Sequence, residues 1–158
     1  FQGTLGPAPA DDTPERQRPE VTADQTLTPA LRRYKDRVDF PVMVPTMIED
    51  GSSIHDDEGI RFYRIDGNKA IRLTYTNGAN EYWGIQQTDW DDAPALEDKN
   101  FSEVIKGRQY DLYYAGPNLH MVVLRAGGAT YWVVNTLLDK LSNETMLEIA
   151  KGLRPMQK

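Results

Sequence analysis

Residues 108–135 read RQYDLYYAGPNLHMVVLRAGGATYWVVN, and this stretch decides the fold. It contains three strand-like runs, Arg108–Tyr114, Leu119–Arg125 and Thr130–Asn135, separated by glycine-containing turns. Short β-rich runs between such turns are typical of strands joined by hairpins. Alternation of large apolar residues gives the resulting sheet one apolar face. The stretch therefore predicts antiparallel strands that follow one another in a meander.

The same pattern extends towards the N-terminus. Asp66-Gly67 and Asn77-Gly78 provide turns there, and a long irregular excursion spans residues 89–100. Four further strands are predicted between these features: Ile60–Ile65, Lys69–Thr76, Glu81–Thr88 and Phe101–Ile105. We therefore predict an α+β fold, a twisted antiparallel meander of about seven strands with a C-terminal helix packed on one face.

That helix is predicted from the last part of the chain. Ser142 is a good N-cap, and Met146, Ile149 and Leu153 recur at helical spacing. Pro155 prevents the helix from continuing. The apolar stripe provides the cover that the sheet requires.

Two elements are predicted before the sheet. Thr28-Pro29 resembles a helix start, and Leu31, Tyr34 and Val38 follow at helical spacing, so we expect a short helix there. The segment Phe40–Pro45 is apolar but contains two prolines, which lack the amide donor of a central strand. We expect it to be a buried edge strand or an extended segment.

The chain divides into three parts by composition. Residues 1–3, Phe-Gln-Gly, resemble the remnant of a cleaved tag, so we expect the natural protein to continue upstream. Residues 4–26 are rich in proline and charge and are predicted to be a disordered linker. Residues 27–158 are predicted to form a single α+β domain.

Composition excludes several classes of function. The 158 residues carry a net charge of -6, which disfavours binding to nucleic acid. Cysteine is absent, so disulfides, thiolate zinc sites and cysteine nucleophiles are excluded. No apolar run reaches the roughly 20 residues that cross a bilayer.

No catalytic motif is recognisable. His55 and His120 lack metal-ligand spacing, and the acidic clusters at residues 56–58 and at residues 89, 91 and 92 lack the alternation of a calcium loop. We therefore predict no catalytic residue, no metal site and no cofactor. Aromatic and amide side chains are the stronger candidates, because they can form a platform for sugars or a protein partner. The candidate binding residues are Trp83, Gln86, Trp90, Tyr113 and Trp132; the alternative is that these aromatics pack beneath the excursion at residues 89–100.

Five motifs together resemble a known family. They are FPVMVP at 40–45, YWGIQQTDW at 82–90, YDLYY at 110–114, YWVVNTL at 131–137 and LSNETMLEIA at 141–150. In this order they resemble the C-terminal accessory domain of some actinobacterial LytR-CpsA-Psr proteins, over about residues 38–154. A weaker similarity links the chain to extracytoplasmic domains of anti-sigma factors and bacterial lipoproteins.

The resemblance implies a membrane-anchored cell-envelope protein, often labelled a transcriptional regulator or attenuator. Its separate catalytic domain transfers glycopolymers from a polyisoprenyl-phosphate lipid to peptidoglycan, using magnesium, arginines and aspartates. The present chain is too short for that domain and lacks its arginine-rich site, so no catalytic residue is carried over. We expect a non-catalytic extracytoplasmic accessory domain that scaffolds or binds cell-wall glycopolymer or an envelope protein, with membrane contact only through an upstream anchor. The alternative is a sensor or interaction domain of an anti-sigma factor or lipoprotein.

Overall fold

A computed structural model describes residues 20–23, 31–55, 59–90, 93–97 and 99–156. Most of the described chain is β-structure. The strands are β1 (Val21–Ala23), β2 (Met43–Pro45), β3 (Met47–Glu49), β4 (Ser53–Ile54), β5 (Ile60–Ile65), β6 (Asn68–Thr76), β7 (Tyr82–Thr88), β8 (Phe101–Ile105), β9 (Arg108–Ala115), β10 (Asn118–Ala126), β11 (Ala129–Val134) and β12 (Leu153–Pro155). The α-helix Asn143–Lys151 lies between β11 and β12.

The main sheet consists of two antiparallel meanders lying side by side. Strands β5, β6 and β7 form the first meander, with β4 on the same edge of β6 as β5. Strands β8 to β11 form the second. They are joined by the pairing of β7 with β11, from Gly84 opposite Val134 to Thr88 opposite Thr130. The predicted antiparallel sheet is confirmed, but β7 is followed in space by β11 instead of β8.

The predicted C-terminal helix is also confirmed, but it ends at Lys151, and Leu153, which was predicted to lie on its apolar stripe, belongs to β12. The Ser142 hydroxyl caps the helix by accepting a hydrogen bond of 3.1 Å from the Thr145 amide. The helix packs on β10 and β11. Its buried side chains Met146, Ile149 and Ala150 belong to the main core, with apolar residues of β6, β7, β9, β10 and β11.

The N-terminal segments complete the cover of this core. Val21–Ala23 is a strand that pairs with β3, so the linker prediction is wrong at these residues. Glu20, just before this strand, is also described. The other residues of the predicted linker, 4–19 and 24–26, lie outside the described residues. Residues 28–30 of the predicted helix also lie outside them, and a 3-10 helix follows at Lys35–Arg37.

The proline-containing segment behaves as predicted. Phe40, Val42 and Met43 are buried in the main core, and β2 pairs with β12 in a small separate sheet. Tyr131 donates its hydroxyl hydrogen to the Pro41 carbonyl oxygen at 2.5 Å. Burial raises the pKa of Tyr131 to about 12, so this contact persists across the physiological pH range.

The opposite face of the sheet holds a second apolar cluster. The excursion after β7 crosses this face to reach β8, and it includes the 3-10 helix Pro94–Leu96. Ala93 and Leu96 from the excursion pack on strand side chains of the second meander, namely Tyr113, Met121, Val123 and Trp132. The excursion therefore covers the second meander, and we call the face that it crosses the second face.

Gln87 connects β7 to the segment around β2. Its side chain is fully buried on the main-core face. The amide Nε2 donates to the Met43 carbonyl oxygen at 2.7 Å, and Oε1 accepts from the Met43 amide at 2.8 Å. Gln86 next to it is half-buried on the second face, and no hydrogen bond joins its side chain to another described residue.

Replacement of Gln87 by Leu should therefore destabilise the fold, whereas Gln86→Leu should not. The first change leaves the Met43 amide and carbonyl buried without partners, which costs about 2 kcal/mol of unfolding free energy. The second should change it by less than about 0.5 kcal/mol. Urea denaturation of the two variants measures the difference. Equal stabilities would contradict a role for Gln87 in holding this segment.

Candidate functional site

The five predicted binding residues do not form one surface. Gln86, Tyr113 and Trp132 lie on the second face, with Trp90 packed against the apolar cluster there. Trp83 points into the main core, where its ring stacks on Tyr75 with centroids 4.3 Å apart. Its Nε1 donates to the Ser52 hydroxyl at 3.0 Å. The ring of Trp83 is therefore turned away from the other four predicted residues, because Trp83 lies one residue out of phase with Gly84, although Trp83 is among the residues that line a cavity on the second face.

Tyr113 and Trp132 are largely covered by the excursion. Their exposed fractions are 7% and 8%. Tyr113 donates its hydroxyl hydrogen to the Leu96 carbonyl oxygen at 2.7 Å, and Trp132 Nε1 donates to the Thr130 hydroxyl at 2.8 Å. The alternative considered for these aromatics, packing beneath the excursion, is thus what the structure shows. Only their edges remain available to a ligand.

Part of the second face stays open. Two adjoining cavities of about 390 Å³ and 270 Å³ lie on it and share Arg72 and Val134. The larger is lined mostly by the second meander and by Ala95 of the excursion, whereas the smaller is lined mostly by the first meander. Together we call them the groove. Its polar and aromatic lining comprises His55, Arg61, Tyr63, Arg72, Thr74, Tyr82, Trp83, Gln86, Tyr113, His120, Trp132 and Asn135.

A glycine lies in the floor of the groove. Gly84 is buried between the half-buried Thr74 and Val134 in the sheet. A β-carbon at this position would stand 2.8 Å from the Leu73 carbonyl oxygen, so a side chain would collide with the neighbouring strand. Close packing of β6 on β7 therefore requires glycine here.

The walls of the groove combine hydrogen-bonding groups with aromatic surface. Arg72 is exposed and lines both cavities of the groove. Gln86 is its cross-strand neighbour. Tyr82, 47% exposed, lies near one end, where its ring meets His55 edge to face at 5.0 Å. A guanidinium group, an amide and an exposed aromatic ring in one concave surface suit a polar ligand with apolar ring faces, such as a sugar.

His120 lies at the excursion side of the groove, at an irregularity in β10. The pairing with β9 shifts between Leu119 and Met121, so His120 is the extra residue of a β-bulge. Its Nδ1 lies 2.6 Å from the Asp139 carboxylate, which fixes the ring orientation. Among the described residues, no hydroxyl group is hydrogen-bonded to the other ring nitrogen. The base and orienting acid of a catalytic triad are therefore present without a nucleophile.

Sequence reasoning missed Arg72, Tyr63 and the His120–Asp139 pair. Arg72 alternates with buried Ile71 and Leu73, so its face was readable from the sequence. The histidine pair was not, because Asp139 belongs to a loop that only the tertiary fold brings to His120.

The described residues contain no group of three His, Asp or Glu side chains that could hold a metal ion. The acidic residues 56–58, 91 and 92 that were considered as cation ligands lie outside these ranges. In the same part of the chain, every helix is too short or too polar to cross a membrane.

Comparison with known proteins finds no matching family model, no matching curated protein and no matching solved structure. The resemblance to LytR-CpsA-Psr accessory domains therefore stays a prediction.

A polar network fixes the covered half of the second face. The Asp111 carboxylate is fully buried and accepts hydrogen bonds from Arg125 Nε at 2.7 Å, Ser102 Oγ at 2.7 Å and Gln109 Nε2 at 3.0 Å. Lys99, at the end of the excursion, lies 3.7 Å away. Burial opposes ionisation, but these hydrogen bonds and the lysine charge outweigh it and hold the pKa of Asp111 below its ordinary value.

Asp111→Asn should therefore lower the unfolding free energy at pH 7 by about 2 kcal/mol, since it removes the buried negative charge that Arg125 and Lys99 face. The contribution of an acid with a depressed folded-state pKa is present above its unfolded pKa and is lost as pH falls through the folded value. The deficit of the variant should thus shrink below pH of about 4. Urea denaturation at several pH values tests this. Asp66→Asn at an exposed turn is the control, and a deficit independent of pH would contradict the prediction.

Proposed function

We propose that this chain is a non-catalytic extracytoplasmic accessory domain of a LytR-CpsA-Psr type cell-envelope protein, and that it binds the glycan part of a cell-wall polymer in the groove. The single observation that carries the binding role is the groove itself. It places Arg72 and Gln86 beside Tyr63, Tyr82 and the edge of Trp132 on an open sheet face. Sugars bind to such combinations through hydrogen bonds at the ring edge and apolar contact at the ring face.

The motifs that carry the family resemblance support the fold of this domain more than its ligand. YDLYY lies on β9, YWVVNTL runs from β11 into the following turn, and LSNETMLEIA forms the C-terminal helix with its cap. Their large side chains are mostly buried in one of the two apolar clusters. A scaffold that presents the groove would require these packing residues, whatever polymer is bound.

A binding role accounts for the groove better than a catalytic one. The His120–Asp139 pair is the only acid–base pair described along the groove, and it has no hydroxyl nucleophile hydrogen-bonded to it. Arg72 is held by no carboxylate among the described residues. Its guanidinium group is therefore available to hydrogen-bond a ligand's hydroxyl groups.

The test is a titration of the ¹⁵N-labelled chain with soluble glycan strands released from peptidoglycan by an amidase. Amide shifts should change at Arg72, Gln86 and Val134, and Arg72→Gln should weaken binding about tenfold, because a charge-assisted hydrogen bond is lost. Arg154→Gln, on the helix side of the sheet, is the matched control and should bind as the wild type does. Glycan binding without shifts in the groove, or no binding at all, would overturn the proposal.

A protein partner is the second candidate, and one observation favours it. Leu137 and Leu138 follow β11 at the surface with exposed fractions of 92% and 73%, and they border a cavity of about 260 Å³ with Tyr82. Adjacent exposed leucines are more typical of interaction surfaces than of a solvated loop.

A photo-crosslinker at position 138 in the native envelope protein tests this candidate. We expect one defined adduct with an envelope protein, which should be absent when the crosslinker is placed at exposed Asp66 instead. Adducts of equal yield at both positions, or none at position 138, would contradict a specific partner.

A further inference from the structure

A second cavity, on the helix side of the sheet, is unlike the groove in charge. It measures about 590 Å³ and lies between the β8–β9 turn and the C-terminal end of the helix. Lys106, Arg108, Lys151 and Arg154 line it, with Glu148 as the one carboxylate among its lining residues. We call this cavity the cationic cleft. It gathers four positive side chains in a chain whose net charge is -6.

The two arginines are held in place by the end of the helix. Arg154 Nη1 donates to the Lys151 carbonyl oxygen at 2.6 Å and to that of Leu153 at 2.9 Å. Arg108 Nη1 donates to the same Leu153 oxygen at 2.7 Å. Each guanidinium group uses one nitrogen in these contacts and retains donors on the other two. Both groups are thus oriented before any ligand arrives, which reduces the entropy cost of binding.

The two lysines of the cleft differ in their ion pairs. Lys151 is paired with Glu148 at 2.8 Å, and within the described residues Lys106 has no ion pair. Lys106 lies in the tight turn before β9 with a φ of 51°, a conformation more readily adopted by Asn or Gly. Stabilisation of the helix end explains the contacts of the two arginines. It does not explain why Lys106, the fourth cationic side chain, lies at the rim of an open cavity.

We propose that the cationic cleft binds a phosphate ester of a sugar or polyol. Arginine forks match the oxygens of phosphate, and lysine adds a point charge. The apolar wall formed by Met47, Ile105 and Tyr110 and the volume of the cavity suit an organic group attached to the phosphate. This site is separate from the groove, because Tyr110 alternates with the second-face residues Gln109 and Asp111 along β9.

The test is an NMR titration of the full chain with glucose 1-phosphate, methyl glucoside and inorganic phosphate. Glucose 1-phosphate should shift amides at Lys106, Arg108 and Arg154, and raising NaCl from about 50 to 300 mM should weaken binding several-fold, because partly exposed charges are screened. Methyl glucoside should leave the cleft unchanged. Binding of inorganic phosphate as tight as that of glucose 1-phosphate would overturn the assignment of an organic ester.

Two variants separate this site from the groove. Arg154→Gln should weaken glucose 1-phosphate binding about tenfold, and Lys106→Gln should weaken it without removing any described packing contact. Arg72→Gln should have no effect, so failure of the glycan experiment and failure of this one are distinguishable. Unchanged affinity in both cleft variants would sink the proposal. A second result would also contradict it: glucose 1-phosphate causes no amide shifts in the cleft, but the chain co-sediments with phosphatidylglycerol vesicles and requires Arg154 to do so. The cleft would then recognise a lipid surface.

Discussion

The pairing of β7 with β11 is the contact on which the rest of the architecture depends. It joins a meander formed early in the chain to the last strand of a later one. Once β11 occupies the edge of β7, β8 has to lie at the far side of the sheet. The chain between β7 and β8 must then cross three strands, and a polypeptide that crosses a sheet covers the face it crosses.

This crossing decides which part of the second face is covered. Ala93 and Leu96 cover the second meander, and the buried Asp111 network joins the end of the crossing segment to β8, β9 and β10. The groove is what remains open of the second face, and it extends from the first meander onto β11, β10 and β9 beside Ala95 of the excursion. The path of a single connection therefore determines which part of this face is covered and which part stays open.

The strands could be predicted from the sequence because their ends are fixed by local chemistry. Asp66 and Gly67 adopt φ values of 49° and 82° in the turn between β5 and β6, and a two-residue hairpin turn of this kind favours such residues. The order of the two meanders could not be predicted, because the pairing of β7 with β11 is non-local and no turn encodes it. Aromatic character marks a residue either for burial or for binding, and only the strand phase places the ring of Trp83 in the main core.

The net charge of the whole chain does not predict the charge of each part of its surface. A net charge of -6 disfavours binding to long polyanions such as nucleic acid. Electrostatic fields in salt, however, decay over about 10 Å, so a ligand inside the cationic cleft is affected mainly by the four cations that line it. An acidic protein with a local basic cavity therefore discriminates by the size of the anion: a small phosphate ester enters the attractive field of the cleft, while an extended polyanion also meets the repulsive remainder of the surface.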